Sequence, residues 1–149
     1  MKSFHPIAFA ISLAALTATA AHALEFKSVG AAPAILYDAP SEKGRKMFVA
    51  PRGMPVEIVL TYGEWSKVRD AAGDLSWVES KALMPKRNVV VSVASAKVRA
   101  AADDAGALVF SADKGVLLEL SEPISSVWLK VKHRDGQSGY VKAIEVWGD

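Results

Sequence analysis

Trp65-Ser66-Lys67-Val68-Arg69-Asp70 returns 63 residues later as Trp128-Leu129-Lys130-Val131-Lys132-His133, and that return decides how the chain is organised. Upstream of it, Ala34, Gly44, Gly53 and Glu57 recur as Ala96, Gly106, Gly115 and Glu119, each 62 positions on. One inserted residue separates the two offsets. Downstream, Gly73 and Val78 recur as Gly136 and Val141, while Trp77 aligns with Tyr140 and Leu83 with Val146. Nine identities in one order describe a duplicated unit of about 60 residues rather than one larger domain.

Each copy has the pattern of short strands. Val56 to Tyr62 and Trp65 to Arg69 are rich in β-branched and aromatic residues and are joined by Gly63-Glu64, a two-residue hairpin signal. Asp70 to Asp74 and His133 to Gly136 supply the Asp and Gly of the next reversal. Trp77-Val78 and Tyr140-Val141 close each copy, and Leu24 to Val29 and Asn88 to Val93 open them. The long segments Asp38 to Lys46 and Ala100 to Ala105 are loops bounded by strands. No stretch after residue 23 keeps a 3.6-residue period. The expectation is all-β: five short strands and one long loop per copy, forming two small, strongly bent barrels over residues 24–84 and 88–149. Such small units are marginal alone, and the short segment Met84 to Asn88 predicts that they touch.

Residues 1–23 read differently. Lys2 precedes the alanine-rich apolar run Ile7 to Ala20, and Ala21-His22-Ala23 places small residues where a signal peptidase cuts. Cleavage after Ala23 is expected, because that apolar run falls short of the ~20 residues a bilayer span needs. The mature chain would then be periplasmic or secreted, without stable membrane insertion. Cysteine is absent, which excludes disulfides, thiolate metal sites and a lipid-anchoring cysteine. The chain carries 18 basic and 16 acidic residues, net +2, with both signs interleaved, so nothing marks a nucleic-acid partner.

Together these residues resemble the bacterial SH3 family, in the form found as a pair behind a signal peptide. Leu36-Tyr37-Asp38-Ala39-Pro40-Ser41, Arg52-Gly53-Met54-Pro55-Val56, Trp65 to Asp70 and Gly73-Asp74-Leu75-Ser76-Trp77-Val78 carry the resemblance in the first copy. Val98-Arg99, Lys114-Gly115, Trp128 to Val131 and Gly136 to Val141 carry it in the second. Two departures stand out: Ser76 replaces the usual glycine, and Tyr140 the usual final tryptophan. The resemblance implies SH3-like barrels used for binding at the cell envelope, with no catalytic residues. The absence of cysteine also excludes the cysteine peptidase activity often fused to such domains.

Two groups of residues, aromatic but for Pro40, are candidates for different roles. Trp65 and Trp128, each with a valine three residues on, are expected to anchor the cores, each burying roughly 150–250 Å². Tyr37, Pro40, Tyr62 and Trp77 fall at a strand end, a loop, a hairpin tip and the last strand. In an SH3-like barrel these converge near one face, suited to a sugar ring or an extended peptide; packing under the loop or between domains is the competing reading. Arg99 and Ala102 stand at the Tyr37 and Pro40 positions of the second copy, so the first is the better candidate.

His133, the one histidine after residue 23, lies beside a turn and is expected to face solvent, with no nucleophile motif to serve. Asp70 and Asp74 lack the dense oxygen ligands of a calcium loop. Asp103-Asp104 is read as a solvated loop. No cofactor, metal site or enzymatic activity is expected. The function expected is binding peptidoglycan or an extended protein segment of the envelope; the alternative is a structural or regulatory subunit acting through protein contacts only.

Overall fold

A computed structural model of the chain describes residues 23–123 and 127–149; residues 1–22, which hold nearly all of the expected leader, and residues 124–126 lie outside the described residues. The first unit runs β1 (Glu25–Val29), β2 (Ala34–Tyr37), β3 (Lys46–Ala50), β4 (Pro55–Tyr62), β5 (Trp65–Arg69), β6 (Leu75–Glu79), a single 3-10 turn at Ser80–Ala82, and β7 (Leu83–Met84). The second repeats it as β8 (Asn88–Val91), β9 (Ser95–Arg99), β10 (Leu108–Asp113), β11 (Leu117–Leu120), β12 (Trp128–Lys132), β13 (Ser138–Lys142), a 3-10 turn at Ala143–Glu145, and β14 (Val146–Trp147). The sheets have matching orders, β3-β2-β6-β5-β4-β1-β7 and β10-β9-β13-β12-β11-β8-β14, with every pair antiparallel. Seven strands per sheet form, not five; among them are the two-residue β7 and β14, which were not expected and pair back onto β1 and β8.

Each sheet closes around one core. Val29, Leu36, Ala50, Val56, Val68 and Val78, from six different strands, form a single buried cluster. Seven strands spaced about 4.8 Å apart would span roughly 30 Å if flat, so these side chains can meet only if the sheet curls on itself. The second cluster, around Val89, Val98, Leu118, Leu129, Val131 and Val141, repeats this.

The tryptophans expected in these cores are not there. Side chains alternate along a strand, so Trp65 and Val68, three apart, must point to opposite faces. Val68 is inside with Ser66, and Trp65 is half-buried on the outer face. Leu129 and Val131 likewise fill the second core, with Trp128 half-buried outside. Ser66 tolerates its inward position because its hydroxyl is hydrogen-bonded to that of Ser80 at 2.7 Å.

The units are joined by a packed contact. The Asn88 amide, at the start of β8, donates to the Gly53 carbonyl at 2.8 Å in a buried bond. Phe26 of β1 meets the Trp147 ring edge-on, with centroids 5.1 Å apart, and the Arg87 guanidinium lies 5.5 Å from the Phe26 centroid. Arg87 also donates to the Gly148 carbonyl at 3.0 Å. Gly53 needs to be glycine for two reasons: its φ is +82°, and a Cβ would lie 3.1 Å from the Asn88 amide nitrogen.

Candidate functional site

The outer face of the first sheet is built by cross-strand register. Tyr37 and Trp77 are direct partners across β2 and β6, and Trp77 is in turn the partner of Lys67 on β5. The Lys67 ammonium lies 5.9 Å from the Trp77 ring centroid, a cation–π distance. Trp65, two residues before Lys67 and therefore on the same face, meets the Tyr37 ring edge-on with centroids 5.5 Å apart. Tyr37 is only 7% exposed yet absent from the core cluster; it is the floor of this face, with Trp65 against it and Trp77 across from it. Glu79 is the partner of Trp65 on β6, and its carboxylate holds Lys81 at 2.9 Å.

Of the four expected site residues, the structure brings Tyr37 and Trp77 together. Tyr62 is the register partner of Trp65 at the tip of the β4–β5 hairpin and is 66% exposed. Pro40 is half-buried in the loop three residues beyond Tyr37. That loop is braced: the Asp38 carboxylate accepts from the Arg45 amide at 2.8 Å, and the Asp38 amide donates to the Arg45 carbonyl. Sequence reasoning missed Trp65 and Lys67. The signal lay in the second copy, where alternating Leu129 and Val131 leave Trp128 and Lys130 for the outer face. Two surface recesses, one along β1 and β4 and one beside Arg87 and Leu120–Pro123, contain none of these residues.

The same positions in the second unit carry different chemistry. Arg99 is the partner of Tyr140, Tyr140 of Lys130, and Trp128 of Lys142. Lys130 lies 6.0 Å from the Tyr140 centroid and Lys142 lies 5.5 Å from the Trp128 centroid. Both lysines also meet carboxylates, Lys130 with Glu122 at 3.0 Å and Lys142 with Asp104 at 2.6 Å. The Lys142 hydrogen bond holds the Asp104 carboxyl below its ordinary pKa. Arg99 donates to the Gly106 carbonyl at 2.9 Å. One face is mainly aromatic; the other alternates aromatic rings with cations.

His133 departs from expectation. It is half-buried, its ring 5.9 Å from that of Phe110 and its Nδ1 3.1 Å from the Asp135 carboxylate. Among the described residues no group of three or more His, Asp or Glu side chains is placed to hold a metal ion.

Two curled sheets bearing ring-and-cation faces define a tandem of small all-β barrels. The family comparison agrees: the model of the bacterial SH3 domain matches twice, over residues 30–85 and 92–148, and the chain belongs to that family. None of the curated proteins matches it. Among solved structures it is similar to NlpC2 from Trichomonas vaginalis, at 11% identity and a TM-score of 0.39, covering 85% of this chain and 49% of that one. NlpC1 from the same organism gives 12% and 0.39, over 85% and 46%. An NlpC/P60 family protein from Bacillus cereus gives 14% and 0.37, over 82% and 55%. The chain thus spans about half the length of these structures.

Proposed function

We propose that this is an exported, non-enzymatic binding protein of the cell envelope, cleaved after Ala23, with domains at residues 24–84 and 88–149. Its first domain grips an extended segment of peptidoglycan, or of an envelope protein, across Tyr37, Trp65 and Trp77, with Tyr62 and Pro40 at the margins. The observation that carries this reading is the Tyr37–Trp77–Lys67 row. Three strands set two rings and an ammonium in register, with Trp77 and Lys67 half-exposed and Tyr37 buried as the floor beneath Trp65. Ring faces accept the C–H-rich faces of sugars or a peptide's apolar side chains, and the ammonium fixes a carboxylate or carbonyl.

Co-sedimentation of residues 24–149 with washed, protein-free peptidoglycan sacculi tests it. Retention of the wild type and its loss in a folded Trp77→Ala variant are the expected results. A wild type that stays in the supernatant rejects the wall polymer as ligand and directs the search to a protein segment.

A further inference from the structure

The duplication places equivalent edge strands on the two sheets, and their surroundings have opposite charge. β3 and β10 are terminal in their sheets, so each has its backbone groups paired on one side only. Both are apolar yet exposed: Phe48 and Val49 are 52% and 62% accessible on β3, and Leu108 is 54% accessible on β10. Residues 38–52 and 100–114 are the same window at the 62-residue offset. The first carries four basic and two acidic residues, net +2; the second carries one basic and three acidic, net −2. Arg45 is paired with Asp38 and Asp104 with Lys142. Among the described residues, no ion pair engages Lys43, Lys46 or Arg52 on one edge, or Asp103 or Asp113 on the other.

We propose that the β3 edge of one copy of this chain pairs antiparallel with the β10 edge of a second copy, head to tail. Edge pairing supplies main-chain partners to both strands and covers the exposed apolar side chains. Charge selects the combination. Two β3 edges placed antiparallel bring Lys46 towards Arg52, and two β10 edges bring Asp113 towards Asp103; both repel. β3 against β10 sets Lys46 beside Asp113 and Arg52 beside the Asp103 end, so both ends attract. The contact is heterologous, so each addition leaves a fresh pair of edges and growth continues unless a ring closes.

The test is sedimentation velocity of residues 24–149 from micromolar to millimolar concentration, at low and high salt, with circular dichroism to verify folding. The wild-type weight-average mass should rise with concentration, and less so at high salt. Lys46→Glu removes the cation that faces Asp113, and Asp113→Lys removes the carboxylate that faces Lys46; each variant alone should stay near one chain mass. A mixture of the two should associate, because the substituted β3 edge of one variant meets the substituted β10 edge of the other with the charges exchanged and attraction restored. A wild type that stays at one chain mass throughout overturns the proposal and leaves the edges to a strand of a different protein. Variants that associate as the wild type does, or a mixture that stays apart, overturn it as well.

Discussion

Tyr37 and Trp77 stand directly across from one another on β2 and β6, and Arg99 and Tyr140 occupy the same two places in the second unit. One strand-to-strand relationship has thus been kept while its chemistry has been split. The first unit pairs two aromatic residues in register, the second an arginine with an aromatic residue. On this reading the first unit dominates retention on wall polymer. Trp77→Ala should weaken it about tenfold or more, the scale of losing one central aromatic contact. Tyr140→Ala should change it less, as read from depletion isotherms on sacculi.

The outward placement of the tryptophans fixes the order of stabilities. Leu36 is buried in the first core, so Leu36→Ala should cost about 2–5 kcal/mol in denaturant unfolding. Trp65→Ala, on a half-exposed face, should cost less than Leu36→Ala and leave the circular dichroism spectrum β-like. A Trp65→Ala chain less stable than Leu36→Ala would return that tryptophan to the core.

Asn88 ties the units through a buried amide-to-carbonyl bond. Asn88→Ala leaves the Gly53 carbonyl without that donor in a buried setting, at a cost of about 1–3 kcal/mol. Calorimetry should show one transition for the wild type and a lower, broader or split transition for the variant, because each small unit loses support from its neighbour.

Asp135 gives a pH dependence of known sign. Its carboxylate accepts from the Gln137 backbone amide at 2.9 Å and from the Gln137 side chain at 2.8 Å, with His133 adjacent, and these hold its pKa down at about 2 from an ordinary 3.8. A folded-state pKa below the unfolded one contributes stability that is present above pH 3.8 and fades as pH falls towards 2. Carboxyl NMR titration should find the Asp135 midpoint near 2, and Asp135→Asn should flatten the acid limb of stability between those values.

The duplication, the Gly63-Glu64 hairpin and the all-β class were legible in the residues, because glycine spacing and β-branched runs report backbone geometry directly. The inner face of β5 was not. Tryptophan is the more apolar residue and serine the more polar, so a hydrophobicity rule places Trp65 inside and Ser66 outside. The structure reverses them because Val68 fills the core and alternation carries Trp65 outward, while Ser66 tolerates the inward place through a hydroxyl partner, Ser80, contributed by the 3-10 turn 14 residues later. Such a partner has no signature in local sequence. Comparing the two copies position by position would have resolved it, since Leu129 stands where Ser66 does and alternation with Val131 marks the inner side.

The joint at Asn88, Phe26 and Trp147 also sets what the molecule can measure. Two outer faces held by these contacts stand at one separation, whereas a floppy tether would sample many. A polymer whose repeat matches that separation engages both faces with little further entropic loss; one that does not match engages a single face. Under the proposed function, the buried amide bond between the barrels would make the protein a gauge of spacing along its ligand.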